Sequence, residues 1–160
     1  MDDEICSFID KAETKLKNSK VLFEVGGYSD SVSLSYYCMF LCAKALLVKK
    51  NCKIPKSHRG LIQLFSLKYV HEDDFNYNAY NYLSSSQSDR ESADYGARDN
   101  IDERIAKRRI NHAEEFLKEA KKFYNLFFIS ISNLIICLKF IINLGIPKYL
   151  YTYFNKLLMG

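Results

Sequence analysis

A chain of 160 residues is long enough for one domain of ordinary size, and an apolar share of 48% excludes global disorder. Two prolines and six glycines are too few for a fold of many short strands, so helices are expected. The net charge of +4 is gathered at the end of the chain: the first 125 residues hold 20 basic and 19 acidic groups, which excludes a strong overall field for nucleic acid.

The N-terminus, MDDEICSFIDK, is acidic and lacks an apolar h-region, so it does not read as a secretory signal. Residues 3–25 are expected to form the first helix. Ile5, Ile9, Ala12, Leu16 and Phe23 lie near one stripe, Asp2 or Asp3 can cap its start, and Gly26-Gly27 ends it. Residues 32–50, VSLSYYCMFLCAKALLVKK, form the central element. Val32, Tyr36, Phe40, Ala43 and Leu47 mark one helical face, and Leu34, Tyr37, Leu41 and Val48 mark a second, interrupted by Lys44. A helix apolar on most of its circumference is a buried one. Ser29 or Asp30 can cap it, and the short connection makes the first two helices an antiparallel hairpin.

Ser57 reads as the cap of a third helix from His58 to about Tyr69, with Leu61, Leu64, Phe65 and Leu67 on its apolar side. A fourth helix is expected over residues 75–86. The polar stretch 84–100, SSSQSDRESADYGARDN, is read as a helix end followed by an exposed loop. Residues 101–124 resume a strong helix with Ile105, Ala113, Phe116, Ala120 and Phe123 in line. The fold class is therefore all-α, an antiparallel bundle of four to five helices over residues 1–125. An apolar C-terminal extension follows over 126–160.

Residues 126–142 are apolar except for Ser130, Ser132, Asn133 and Lys139, and Gly145 and Pro147 break the run before a short aromatic piece over 149–159. A membrane span needs about 20 apolar residues, and a terminal lysine can snorkel. Three readings stay open: membrane contact through residues 126–142, a helix packed on the bundle or on a dimer mate, and an extension without a role. The five cysteines are odd in number and form no C-x-x-C; they read as small hydrophobes in a reducing cytosol.

Three segments together resemble one family. S-x-S-Y-Y-C-M-F-x-x-A-K-A-L-L at residues 33–47 resembles the second helix of HEPN-domain proteins. K-S-H-R-G-L-I-x-L-F at 56–65 and R-E-S-A-D-Y at 90–95 follow in the family's order. The resemblance covers about residues 1–125. It implies a four- or five-helix bundle, a homodimer, and pairing with a small nucleotidyltransferase-like protein, in many cases as toxin and antitoxin. Many members are metal-independent ribonucleases in which an arginine and a histidine, separated by four to six intervening residues, meet their mates across the dimer. Here the pattern departs. Three residues separate Arg108 from His112 and seven separate Arg104 from His112, while Lys107 stands at the permitted distance without being arginine.

Arg108 and His112 are nonetheless neighbours one helical turn apart. A ribonuclease without metal needs a base for the 2′-hydroxyl proton and a cation for the developing phosphorane charge, roles that histidine and arginine suit. The opposing reading has Arg109 snorkelling at the stripe's edge and His112 pairing with Glu115 or a carbonyl. Asn111 and Arg109 join the candidate contact residues for RNA, nucleotide or a partner. Arg90 and Asp94, with Tyr95 beside them, form either an ion pair or part of a site. Lys56, His58 and Arg59 open a helix whose free N–H groups suit a phosphate, or are a solvated cap. Ser35 and Tyr36 either face the same cavity or satisfy carbonyls inside the bundle. The three histidines are too far apart for metal spacing and no phosphate-cradling G-x-x-x-x-G-K-[ST] loop occurs, so neither a metal nor a cofactor is expected.

Overall fold

The computed structural model describes the backbone of residues 2–95 and 101–143 and the side chains of 3–87 and 101–124. Among the described residues the chain is entirely helical. Five α-helices follow one another: α1 (Asp2–Glu24), α2 (Tyr28–Lys49), α3 (His58–Phe65), α4 (Tyr77–Tyr95) and α5 (Glu103–Asn143). A π-helical turn, Ser66–His71, continues α3. The chain divides into two compact units, Met1–Phe123 and Tyr124–Gly160. Of the second, residues 124–143 are described as α-helical backbone; Gly145, Pro147 and the aromatic piece lie outside the described residues.

α1 ends in a left-handed glycine turn. Gly26 has φ of +82°, its N–H donates to the carbonyl of Phe23 at 3.1 Å, and Gly27 N–H donates to that of Leu22 at 2.8 Å. This double closure satisfies the last carbonyls of α1. The turn feeds directly into α2, whose N-cap is Gly27 and carries no side-chain cap. Ser29 and Asp30, expected as caps, fall inside the first turn, because the helix begins before them. Asp30 there faces the positive end of the helix dipole. Asp2 and Asp3 likewise sit within the first turn of α1.

Pairs between the helices run in opposite directions, which makes the neighbours antiparallel. Ser19 meets Ser35 while Phe8 meets Lys44, and Glu13 pairs with Lys121 while Lys20 pairs with Glu114. α2 is the enclosed element, as its pattern predicts. Val32, Tyr36, Met39, Ala43, Leu46 and Leu47 are fully buried. Its second stripe is different: Leu34, Tyr37, Leu41, Lys44 and Val48 are half-buried. The remaining buried face is taken by small residues, Ser31, Ser35, Cys38 and Cys42, which let α1 approach closely. Ser19 of α1 satisfies that polar layer, donating to the carbonyl of Ser31 at 2.8 Å and lying 2.7 Å from the Ser35 hydroxyl. By length and composition α2 is the one helix, among the described residues, able to cross a membrane. Its apolarity is that of a core helix covered by its neighbours.

α3 starts as expected: the Ser57 hydroxyl accepts from Gly60 N–H at 3.1 Å. It is shorter than the sequence suggests, because the chain widens into the π turn at Ser66. Tyr69 thereby points inward and is buried, whereas Leu67, expected on the apolar side, is 52% exposed. The Tyr69 hydroxyl donates to the carbonyl of Leu46 at 2.5 Å, and burial raises its phenol well above the ordinary range. Its ring joins Phe65, Phe75, Phe116 and Phe123 in an aromatic cluster with centroid separations of 5.0 to 6.5 Å between touching pairs. Lys50 clasps the same corner, 2.8 Å from Asp73 and 4.8 Å above the Tyr69 ring.

α4 departs most from expectation. Asn76 caps it, accepting from Ala79 N–H at 3.1 Å, and it runs on to Tyr95 rather than ending near Ser86. No glycine or proline interrupts residues 77–95. The segment lacks an aliphatic stripe because small residues, Ala79 and Ser86, carry its packing beside Leu83.

Phe116 is fully buried in the aromatic cluster, so Phe116→Ala is expected to lower unfolding free energy by about 3–5 kcal/mol. Tyr77→Ala, on an exposed ring, should stay within about 0.5 kcal/mol of the parent in the same urea titration.

Candidate functional site

The antiparallel crossing of α4 and α5 creates the candidate site. Asp102 opens α5, its carboxylate accepting from Ile105 N–H at 2.8 Å and its carbonyl from Ala106 N–H at 3.0 Å. That cap closes the first turn of α5. Ala106, Arg109, Ile110, Ala113 and Phe116 turn inward, and Arg104, Lys107, Arg108 and Asn111 turn outward. The outward residues line an open cleft of 790 Å³ together with Tyr82, Asp102, Glu103, His112 and Glu115. Its six ionisable chains of fixed sign divide evenly, with Arg104, Lys107 and Arg108 against Asp102, Glu103 and Glu115. Such a lining can hold an anionic group through its guanidinium chains and meet hydrogen-bond donors through its carboxylates.

His112 is the most constrained side chain there. Its ring stacks on Tyr82 with centroids 3.9 Å apart and planes 8° from parallel. Its Nδ1 lies 3.2 Å from a guanidinium nitrogen of Arg109. Arg109 is only 6% exposed and also donates to the Ser85 hydroxyl of α4 at 3.2 Å. The expectation that Arg109 snorkels at the edge is therefore corrected: it lies inward and joins α4 to the imidazole. Interaction of its hydroxyl with the Glu115 carboxylate, followed by burial, raises the Tyr82 phenol above the ordinary range.

The other candidate residues are placed elsewhere. Ser35 and Tyr36, expected at a contact surface, are fully buried and cannot touch a ligand from there. The Tyr36 hydroxyl lies 3.1 Å from Nδ1 of His58, whose ring packs 4.2 Å from that of Phe40 and edge-on to Tyr37. Those contacts fasten α3 to α2. Lys56 and Arg59 are exposed around the start of α3. Arg90, Asp94 and Tyr95 belong to the helical backbone of α4, and their side chains lie outside the described residues. Among the described residues no group of three metal-ligating side chains comes together.

Sequence reasoning missed Tyr82 and Ser85 as site residues and offered Glu115 only as a partner for His112. Ser85 and Tyr82 stand three residues apart on α4, as Arg109 and His112 do on α5, so two adjacent helical faces meet in register. The buried Cys42 thiol is a poor nucleophile: the hydrogen bond it makes to Cys38, then desolvation, pushes it well above the usual thiol range. Phenolate formation at Tyr82 costs the molecule its bond to the Glu115 carboxylate and creates a like charge beside it. Glu115→Gln should therefore bring ionisation of one tyrosine back down toward its ordinary value near 10, seen in the ultraviolet difference titration against Tyr82→Phe. By linkage, the bond's contribution is complete below pH 10 and fades as pH rises through the elevated value.

Comparison with known proteins places this arrangement in a family. The HEPN domain profile matches residues 6–123. "Putative toxin MJ0142" of Methanocaldococcus jannaschii is 32% identical over 120 residues, 75% of this chain and 81% of that protein. "Putative toxin MJ0605" of the same archaeon is 38% identical over 120 residues, covering 75% and 88%. A "UPF0332 protein" of Archaeoglobus fulgidus is 33% identical over 123 residues, covering 77% and 97%. The match spans every helix of the first compact unit, and the chain belongs to the HEPN domain family.

Proposed function

We propose that this chain is a toxin-like HEPN protein, the effector half of a toxin–antitoxin-type pair, and that the α4–α5 cleft is its working surface. The observation that carries this reading is the gathering of Arg108, Asn111 and His112 in one cleft with the Tyr82–His112 stack. The toxin names of two relatives support it. The ligand is RNA or a nucleotide. Guanidinium groups suit phosphate oxygens, the Asn111 amide suits a base edge, and stacked rings suit an unpaired base. The counterpart is a nucleotidyltransferase-like protein, a pairing that rests on the resemblance of residues 33–47, 56–65 and 90–95 to that branch of the family. A homodimer follows from the same resemblance.

A second reading makes the protein a metal-independent ribonuclease. What favours it is that Arg108 and His112 line one cleft although their spacing departs from the family's ribonuclease pattern. Arg108 then faces the phosphorane charge and His112 transfers a proton. Residues 126–160 are proposed as an extension separate from the bundle of 1–125, with membrane contact through 126–142 as the alternative role.

Expression of the full chain in a bacterial host should arrest growth, and His112→Ala should relieve the arrest. Undiminished arrest by His112→Ala would remove His112 from the activity. Affinity purification from the native host should recover a nucleotidyltransferase-like protein in fixed ratio, and recovery of the chain without one counts against the pairing. For the ribonuclease reading, His112→Ala should slow cleavage of an RNA panel by about 100-fold or more. Membrane contact predicts that the full chain sediments with vesicles while a chain ending at Asn125 does not.

A further inference from the structure

We propose that Arg109 is a positioning residue that fixes His112 as its Nε2–H tautomer, so that the imidazole offers the cleft a hydrogen-bond donor and not a base. A guanidinium group only donates, so the Nδ1 atom 3.2 Å from Arg109 must accept. The single proton of the neutral ring then sits on Nε2. The arrangement is held from three directions. Arg109 is nine-tenths buried and tied to Ser85 across the helix pair. The ring lies flat on Tyr82, which leaves it little freedom to turn over. The Tyr82 hydroxyl in turn interacts with the Glu115 carboxylate.

The consequence concerns the chemistry of the ligand. Arg104, Lys107, Arg108 and the Asn111 amide line the cleft with His112, as do the carboxylates of Asp102, Glu103 and Glu115. The group that meets His112 is therefore an acceptor, a phosphoryl oxygen of the RNA or nucleotide, and not a hydroxyl awaiting deprotonation. This consequence rests on the proposed RNA-binding reading, whereas the tautomer stands on the geometry of Arg109, Tyr82 and His112 alone.

The test is a long-range ¹H–¹⁵N correlation spectrum of the imidazole nitrogens in the full-length protein. It is recorded at about pH 8.5, above the ordinary imidazole range, with His112 assigned by its loss in His112→Gln. Wild-type His112 is expected to show one protonated Nε2 and one unprotonated Nδ1. Arg109→Met should lose that single pattern and give tautomer averaging, whereas Arg109→Lys, which keeps a donor, should retain it. A wild-type Nδ1–H pattern, or averaging in the wild type, overturns the proposal without need of any variant. So does an Arg109→Met protein with native circular dichroism and an unchanged pattern. Titration with a short single-stranded RNA separates the two readings. Nε2–H without RNA-dependent shifts at the cleft defeats the RNA reading alone, and RNA-dependent shifts with Nδ1–H defeat the tautomer assignment alone.

Discussion

Helix α2 is too apolar to face water along most of its length, and covering it is the condition the rest of the bundle meets. Twelve of its residues are buried, among them Tyr36, Met39, Leu46 and Leu47. Hydrophobic burial of this kind has no direction, so polar contacts set how the cover fits. The Ser19–Ser31–Ser35 layer sets α1 against α2. Tyr36 and His58 set α3 against it. The carbonyl of Leu46, near the end of α2, accepts from both Lys50 N–H and the Tyr69 hydroxyl, which ties the π turn to the same corner. A buried hydroxyl without a partner costs about 1–3 kcal/mol, so each of these pairs penalises a slipped register more than it rewards the correct one.

The cleft inherits its geometry from that packing. Phe116 of α5 reaches Phe65 and Phe75, so the inward face of α5 is fixed by aromatic contacts one turn beyond His112. The charged pairs at the rim, Lys20 with Glu114 and Glu13 with Lys121, are about half exposed. Each is worth less than about 1 kcal/mol. They agree with the direction of α5 but do not hold it. The site's rigidity comes from the apolar side of the helix whose polar side it occupies.

The long periodic elements were legible in the sequence. The faces of α1, α2 and α5 repeat every three or four residues, and burial follows Ile5, Ile9, Ala12 and Leu16, then Val32, Tyr36 and Ala43, then Ala113, Phe116 and Ala120. Ser57 was legible as a cap because hydroxyl and amide lie within one turn. The second stripe of α2 misled, because serine and cysteine took the buried face that Leu34 and Leu41 were expected to fill. Small polar residues pack well when their hydroxyls find each other, and hydropathy does not register that pairing. α4 misled for the same reason: its contact face is Ala79, Leu83 and Ser86, which carries almost no apolar periodicity. The π turn left no local signal, since it reflects where Tyr69 must go and not what residues 66–71 prefer.

The adjacent arginines show what spacing arithmetic omits. Counting along the chain treats Arg108 and Arg109 as near-equivalents, four and three residues from His112. A helix rotates successive residues by about 100°, so one of the pair goes inward and the other outward. The apolar face of α5, seated through Phe116 on Phe65 and Phe75, sets that rotation, and the outcome is that Arg109 reaches Ser85 and His112 while Arg108 lines the cleft. A buried guanidinium is costly unless its donors are met, and here one of the acceptors is the histidine itself. Two residues of one type are thus placed on different sides of α5, Arg109 beside the imidazole and Arg108 on the cleft wall.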